Sequence, residues 1–152
     1  MQIIEAQICA LAIRPATRAP LEECQALQID PTDGVCSDHG NSARRHITLF
    51  SEEQWRAACD QIGVDLPWTT RRANVLLRGL EFGPSHARAR ITIGDVSLQV
   101  HGELTPCFRM EEQATGLHDA LVPEWRGGVH AEVISGGQIG IGDTVRLEFD
   151  DR

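Results

Sequence analysis

The sequence lacks the signatures of several common protein classes. Its five cysteines (Cys9, Cys24, Cys36, Cys59 and Cys107) form no CxxC pair, so neither a zinc ribbon nor a thioredoxin-type site is indicated. Their odd number and irregular spacing favour an intracellular, reducing compartment. No segment approaches the roughly 18 apolar residues of a membrane-spanning helix, and no basic region precedes the N-terminal apolar stretch, as it would in a signal peptide. We therefore expect a soluble, cytoplasmic protein that does not bind membranes.

Positive charge is also scarce. The 152 residues include 22 acidic and 14 basic side chains, and the net charge of −8 argues against general binding to nucleic acids. A local basic cluster could still bind an anion. Repeats, linkers and low-complexity tracts are absent, and the length suits one hydrophobic core, so we expect one domain over residues 1–152.

Short segments with alternating or continuous apolar character dominate the chain and predict strands. They cover residues 2–13, 23–29, 44–50, 73–78, 87–93, 95–101, 129–135 and 143–149. Gly94-Asp95 and Gly142-Asp143 have the form of tight turns between strands. This spacing favours a mainly β fold, an antiparallel β-barrel.

Two short helices are predicted to interrupt the sheet. Ser51 and Gln54 have the form of a capping box, before a helix that ends at Gly63. The second helix is expected over residues 106–121, with Thr105 as its N-cap. We expect both helices to pack on the outside of the barrel or across an end.

The second helix begins next to a cysteine. In the stretch HGELTPCFRMEE, Cys107 would lie in the first turn, where the positive end of the helix dipole favours thiolate over thiol. A thiolate there can bind a soft metal, carry a persulfide sulfur or attack an electrophile. The alternative is a cysteine that only packs against its neighbours. Cys9, Cys24 and Cys59 lie in apolar patterns and are expected in the core.

A turn-rich segment, GVCSDHGNSARRH, contains Cys36, Asp38, His39 and His46. These side chains could supply metal ligands or acid–base groups. The alternative is a polar surface loop with a hydrogen-bonded Asp38. A zinc site is the less favoured interpretation because the ligand types are not paired.

Arg71, Arg72 and Asn74 lie where a loop enters a predicted strand, in TTRRANVLL. Guanidinium groups bind phosphate bidentately, and a neighbouring amide can hold a neutral donor–acceptor group. Alternation along the strand predicts that Arg72 and Asn74 share one face. Solvated surface charge is the alternative interpretation.

Consecutive glycines precede another strand, in EWRGGVHAEVISGG. Arg126, Gly127 and Gly128 lie where the backbone would approach another group closely. A simple turn explains this stretch equally well.

Four stretches together resemble the MOSC domain, named after the C-terminal domain of molybdenum cofactor sulfurases. In chain order they are DGVCSDHG…RRHITLF, PWTTRRANVLLRG, ITIGDVSLQVHGELTPCFRME and RGGVHAEVISGGQIGIGDTVRL. The third carries the family's Pro-Cys pair, and the order is that of the stand-alone bacterial form. One such stretch would be a weak signal, whereas four in order over nearly the whole chain are specific.

The resemblance implies a β-barrel and a role with the molybdenum cofactor (molybdopterin), a pterin dithiolene that bears a phosphate. By position in the family's motifs, Cys107 is implied to ligate molybdenum or to carry sulfur. Arg72 and Asn74 are implied to hold the pterin and its phosphate. The remaining cofactor-binding candidates are Arg71, Arg126, Gly127 and Gly128.

Three functional hypotheses follow. The leading one is a molybdenum-dependent oxidoreductase that transfers an oxygen atom from a small N-oxygenated substrate, with electrons from a separate reductase and Asp38 or His39 as proton donor. The second is a sulfur carrier or cofactor chaperone that holds a persulfide on Cys107, supplied by a cysteine desulfurase. The third is a non-catalytic interaction module.

Overall fold

Strands are the main regular element of the computed structural model, which describes residues 1–40, 42 and 44–150. The strands are β1 (Gln2–Ile13), β2 (Glu22–Cys24), β3 (Ala26–Asp30), β4 (Gly34–Val35), β5 (Ile47–Ser51), β6 (Val75–Arg78), β7 (Arg90–Ile93), β8 (Val96–Glu103), β9 (Val129–Ser135), β10 (Gly137–Gly140) and β11 (Thr144–Phe149). The α-helices are α1 (Glu52–Gln61), α2 (Phe108–Gln113) and α3 (Leu117–Leu121). Shorter 3₁₀ turns lie at Trp68–Arg71, Pro84–His86 and Pro123–Trp125.

Within these described ranges, seven strands close into a barrel, which confirms the predicted fold class. Their order is β1, β6, β5, β9, β8, β7 and β11, and β11 pairs back to β1. The long strand β1 makes this closure possible, because its first half pairs with β11 and the following residues pair with β6. A bulge between Ile8 and Ala10 bends the strand where its partner changes. The strand β2 extends the sheet beyond β1, while β10, β3 and β4 form a separate small sheet.

One pair departs from the antiparallel prediction. The strands β5 and β6 are parallel, with Leu49 opposite Val75. Parallel neighbours require a crossover connection, and here α1 and the 3₁₀ turn at Trp68–Arg71 provide it.

Alternation along these two strands builds a hydrophobic core on each side of the sheet. Leu49 and Val75 point into the barrel, while Phe50 and Leu76 belong to a second core under the helices. Burying a side chain of this size stabilises the fold by about 1.5–3 kcal/mol. Trp55 of α1 meets the Phe50 ring edge-on, at a centroid distance of 5.8 Å. The helices therefore pack on the outside of the barrel.

The first helix begins and ends close to its predicted limits. The Ser51 hydroxyl accepts a hydrogen bond from the Gln54 backbone N–H, and Gly63 follows the C-terminal end with a φ of 70°. The Gln54 side chain does not complete the capping box. Its amide instead donates to the carbonyl oxygens of Phe82 and Glu124, at 2.8 Å each, and so ties two loops to the helix.

The second predicted helix is wrong as one continuous element. The chain forms α2 and α3 with a break at Gly116, whose φ of 90° favours glycine. The Glu111 carboxylate stabilises the break by accepting hydrogen bonds from the N–H groups of Gly116 and His118. None of the helices in the described part of the chain is long and apolar enough to cross a membrane.

Candidate functional site

Cys107 opens into a cavity of about 350 Å³ on the surface of the barrel. The cavity lies between four segments: the loop after β1, the loop before β5, the 3₁₀ turn before β6 and the connection from β8 to α2. Its most frequent lining residue is arginine. We call it the arginine cavity, after Arg14, Arg18, Arg45, Arg71, Arg72 and Arg109.

The concentration of positive charge is unusual for this chain. The net charge is −8, and all 14 basic residues are arginines because the sequence contains no lysine. Six of them line one cavity, and no Asp or Glu side chain does so among the residues that the structure describes. A guanidinium group presents a planar fork of donors that matches phosphate and carboxylate. The cavity is therefore suited to an anionic ligand.

Cys107 is the N-cap of α2, which corrects the prediction of Thr105. Its backbone is extended, and its carbonyl oxygen accepts from the Met110 N–H at 3.0 Å. The thiol therefore lies before a helix of six residues and not inside the first turn of a long one. Cys107 is exposed, and the neighbouring Phe108 ring is 72% exposed.

The other four cysteines are less accessible. Burial raises the pKa of the Cys9 thiol to about 11, and it also raises the pKa of Cys24, Cys36 and Cys59. Cys59 is buried as predicted, whereas Cys9 and Cys24 are half-buried. Cys107 is thus the exposed thiol of the five.

Arg71 is buried and lines the same cavity as Cys107. Its Nε donates to the Gly127 carbonyl oxygen at 3.0 Å, and its Nη2 donates to the Leu104 carbonyl oxygen at 2.8 Å. Burial lowers the pKa of the guanidinium to about 10, and the negative charge of a Cys107 thiolate opposes this effect. Arg71 therefore joins two backbone segments and brings a positive charge close to the thiol.

Arg72 lines the cavity from a left-handed backbone conformation, with a φ of 64°. Its Nη1 donates to the Ala19 carbonyl oxygen at 2.8 Å. Burial lowers the pKa of this guanidinium, and the positive charges of Arg109 and Arg14 lower it further. The cations of the cavity are thus close enough to repel one another.

Asn74 does not share a face with Arg72, which corrects the prediction. The strand begins at Val75, so alternation does not extend to the residues before it. The Asn74 side chain is fully buried, where its oxygen accepts from the N–H and hydroxyl of Thr48 at 3.1 Å each. Its amide donates to the Ala12 carbonyl oxygen. Asn74 joins the strands next to the cavity but does not line it.

Asp38 and His39 take different positions. The Asp38 carboxylate is buried and accepts from the Arg14 guanidinium at 2.7 Å and from the Arg14 backbone N–H at 2.6 Å. His39 lines the cavity, and its Nε2 lies 2.7 Å from the Thr17 hydroxyl. Of the two predicted proton donors, only His39 faces the arginine cavity.

Cys36 and His46 both line another cavity, of about 690 Å³, but among the described side chains Cys36 groups as a potential metal ligand with Asp30 and Asp33 and not with His46. The buried His46 accepts a hydrogen bond from the Val133 N–H through Nδ1. The Cys36 thiol lies 3.4 Å from an Asp30 oxygen.

The backbone at Gly127 and Gly128 packs closely against neighbouring segments of the chain. A Cβ at Gly127 would lie 2.6 Å from the Leu104 carbonyl oxygen and 3.0 Å from Nη2 of Arg71. At Gly128, where φ is 99°, it would overlap with the backbone of Leu49. Arg126 donates to Gln61 and to the Ala120 carbonyl oxygen, outside the cavity lining. Gly127 and Gly128 therefore allow close packing beside the site, Arg126 joins α1 to α3, and none of the three lines the cavity.

Sequence reasoning missed four of the six arginines, which are Arg14, Arg18, Arg45 and Arg109. They come from three separate segments, and no local motif joins them. The sequence offered no signal for their positions, because every basic residue of this lysine-free chain is an arginine.

Comparisons with known proteins agree with the fold. The YUAD protein from Bacillus subtilis is 19% identical, with a TM-score of 0.80 over 99% of each chain. YiiM from Geobacillus stearothermophilus is 14% identical, with a TM-score of 0.71 over 94% of this chain and 75% of its own. YiiM from Escherichia coli is 12% identical, with a TM-score of 0.69 over 95% and 70%.

No curated protein matches the sequence. The MOSC domain family does match, over residues 37–146, a range that includes Asp38, Arg72 and Cys107. The matched range covers well over half of the 152 residues. The chain therefore belongs to the MOSC domain family.

Proposed function

We propose that the arginine cavity binds the molybdenum cofactor and that Cys107 is the protein ligand of the metal. The supporting observation is that an exposed thiol opens into a cavity lined by six guanidinium groups and, within the described residues, by no carboxylate. A pterin dithiolene with a phosphate is an anionic ligand, and a thiolate suits a soft metal. The donor set therefore fits this cofactor.

The arginines fall into groups that would bind different parts of the cofactor. Arg71, with Arg45 nearby, provides positive charge at the Cys107 end of the cavity. Arg72 and Arg109 provide a second positive region, suited to the phosphate. Arg14 is already paired with Asp38, so it positions the loop wall more than it neutralises a ligand.

Bound molybdenum would supply two-electron oxygen-atom transfer from a small N-oxygenated substrate, with two electrons from a separate reductase and two protons forming water with the released oxygen. His39 is the proposed proton donor because it lines the cavity and is exposed. The Thr17 hydroxyl orients its ring through Nε2. Asp38 is not proposed for this role, since both of its oxygens accept hydrogen bonds from Arg14.

The test is the metal content of protein purified from a host that makes the cofactor. We expect molybdenum by elemental analysis and a fluorescent pterin after oxidation, close to one of each per chain. Cys107→Ser should lose the metal, and Cys24→Ser, a matched change at a half-buried thiol, should keep it. Wild-type protein without metal and pterin, or equal metal content in both variants, would contradict the proposal.

The exposure of Cys107 also supports a second candidate, a sulfur carrier. An accessible thiol beside an exposed aromatic ring is open to a protein partner such as a cysteine desulfurase. Incubation with a desulfurase and cysteine should then add the mass of one sulfur atom to the peptide containing Cys107. An unchanged peptide mass would exclude this role.

A further inference from the structure

A separate cavity of about 620 Å³ lies on the outer face of β8 and β9, and it shares no lining residue with the arginine cavity. Its lining includes His101 of β8, His130 of β9, Arg44 from the loop before β5 and Arg88 from the loop before β7. We call it the histidine cavity. No Asp or Glu side chain lines it in the part of the chain that the structure describes.

His130 has a buried nitrogen without a partner. Its neighbours Val129 and Ala131 belong to the barrel core, so alternation along β9 directs the imidazole to the outer face of the sheet. The Nδ1 atom is buried there, and it has no hydrogen-bond partner among the described residues. Buried polar atoms in folded proteins are normally paired, so an unpaired one in the lining of a cavity indicates that a ligand completes the site.

The second histidine already has a partner. His101 lies at a bulge between Val100 and Gly102, and its Nε2 is 2.8 Å from a Glu132 carboxylate oxygen. The hydrogen bond with His101 lowers the pKa of the Glu132 carboxyl, so this group stays ionised in weak acid. His101 and Glu132 therefore act as a pair, and His130 remains the histidine that can accept a new partner.

Two guanidinium groups complete the lining. Arg44 and Arg88 are exposed, and neither side chain makes a hydrogen bond or salt bridge within the described ranges. The Gln99 amide donates to the Arg88 carbonyl oxygen at 2.9 Å and so holds this loop against β8. Cationic donors from three separate segments surround one space. Such an arrangement suits an anion whose oxygens point in several directions.

The protonation of His130 depends on its surroundings. Burial lowers the pKa of its imidazole, the positive charges of Arg45 and His101 lower it further, and a hydrogen bond with the Arg44 backbone opposes them. The empty site therefore favours the neutral ring. An anion in the cavity would favour imidazolium, which has a proton on both nitrogens and can donate through Nδ1. The titratable and charged side chains around the ring come from the segment before β5, from β8, from the loop before β7 and from β9 itself, and they are Arg44, Arg45, His46, His101, Arg88 and Glu132.

We propose that the histidine cavity binds a tetrahedral dianion and that binding adds a proton to His130. Arg44 and Arg88 bind oxygens on the open side of the anion, and Nδ1 of His130 donates to an oxygen on the inner side. This chemistry is shared by free sulfate or phosphate and by a phosphate monoester. The site is independent of the function proposed for the arginine cavity, because the two cavities have no lining residue in common.

The first test uses cofactor-free protein labelled with ¹⁵N-histidine, titrated with sodium sulfate at constant ionic strength and observed by NMR at the imidazole nitrogens. Sulfate remains a dianion between about pH 6 and 8, so a pH effect reports on the protein. We expect a saturable change of His130 towards imidazolium, with sulfate bound about tenfold more tightly at pH 6 than at pH 8. Chloride should not produce it.

The same spectra separate the two cavities, because His39 lines only the arginine cavity of the two. A sulfate response at His39 without a saturable response at His130 would overturn the proposal. So would a response at His130 that chloride reproduces. Phosphate and glycerol phosphate, compared at one pH, then distinguish the sources: tighter binding of the ester identifies a monoester site, and tighter binding of phosphate identifies a site for the free ion.

The second test uses variants of the lining. Arg88→Gln should weaken sulfate binding at the His130 signal about fivefold or more at both pH values, while Arg56→Gln, an exposed arginine of α1, should not. His101→Gln should keep the pH dependence of binding, since His130 is unchanged. Loss of the pH dependence in His101→Gln would assign the proton to His101 and overturn the role of His130. Unchanged affinity in Arg88→Gln would overturn the site itself.

Discussion

Asp38 accepts three hydrogen bonds from Arg14, one from its backbone and two from its guanidinium group. One carboxylate oxygen lies 2.6 Å from the Arg14 backbone nitrogen, and the other lies 2.7 Å from Nη2 of its guanidinium. The carboxylate is fully buried, while Arg14 lines the arginine cavity. The neighbouring His39 N–H also donates to the Arg14 carbonyl oxygen. The loop after β1 is therefore fastened to the loop that carries His39.

Replacing Asp38 should loosen this wall of the cavity. In Asp38→Asn the charge on Arg14 loses its partner, and we expect the free energy of unfolding to fall by about 1–3 kcal/mol. Urea denaturation measures this change. Asp119→Asn is the matched control, because the Asp119 side chain is 91% exposed. An Asp38→Asn variant as stable as the control would contradict a structural role for the pair.

Arg72→Ala and Asn74→Ala should separate binding from stability. Arg72 lines the cavity, so its removal should weaken cofactor binding by about 1.5–3 kcal/mol with little effect on unfolding. Asn74 is buried and joins three strands, so its removal should lower the free energy of unfolding by about 1–3 kcal/mol. Both variants are tested for cofactor retention and by urea denaturation. Arg72→Ala should retain less cofactor than Asn74→Ala, and Asn74→Ala should be the less stable of the two.

Gly127→Ala should disturb Arg71 directly. The added Cβ would meet the Leu104 carbonyl oxygen and the Arg71 guanidinium, two groups that are hydrogen-bonded to each other. We expect destabilisation of about 1–3 kcal/mol and a loss of cofactor binding. Gly83→Ala is the control, because a Cβ there meets nothing within 4 Å. Equal melting temperatures for the two variants would show that the backbone at Gly127 can yield.

Alkylation near neutral pH should label Cys107 before the other cysteines in cofactor-free protein. Cys107 is exposed, whereas burial raises the pKa of the other four thiols and reduces their thiolate fraction. Bound molybdenum should protect it. Peptide mass spectrometry over a time course measures the order. Faster labelling of Cys36 would move the reactive chemistry to the 34–46 loop.

His86 should make stability depend on pH. Burial lowers the pKa of its imidazole, so the unfolded chain, with a histidine pKa near 6.5, takes up the proton first as the pH falls. The stability from neutral His86 is therefore present above about pH 6.5 and is lost below it. We expect a smaller decrease in stability between pH 7 and 5 in His86→Gln than in wild type, measured by urea denaturation. The same decrease in both would assign the pH dependence to other groups.

Much of the fold followed from local patterns. The alternation in 129–135 and 143–149 predicted β9 and β11 within one residue, and Ser51 correctly marked the start of α1. These elements can be predicted because their requirements are local. A strand buries one of its faces, and the free N–H groups at the start of a helix need a nearby hydrogen-bond acceptor. The short strands β4 and β10 were missed, since a few residues give too short a pattern.

Where the predictions from local patterns were wrong, tertiary contacts determined the structure. The helix predicted over 106–121 divides because Gly116 adopts a positive φ and Glu111 caps the residues after it. The parallel pairing of β5 and β6 depends on where α1 returns the chain, which periodicity does not encode.

The residues of the candidate site were also predicted only in part from the sequence. The sequence alone determined that Cys107 and Arg72 are candidates and that the chain resembles the MOSC domain, because these are properties of short motifs in order. Only the tertiary structure showed that Arg14, Arg18 and Arg109 line the same cavity as Cys107 and Arg72. It also showed that the Asn74 side chain is buried in the protein interior. The physical reason is that a cavity is formed by loops from distant strands, and barrel closure decides which of their side chains meet.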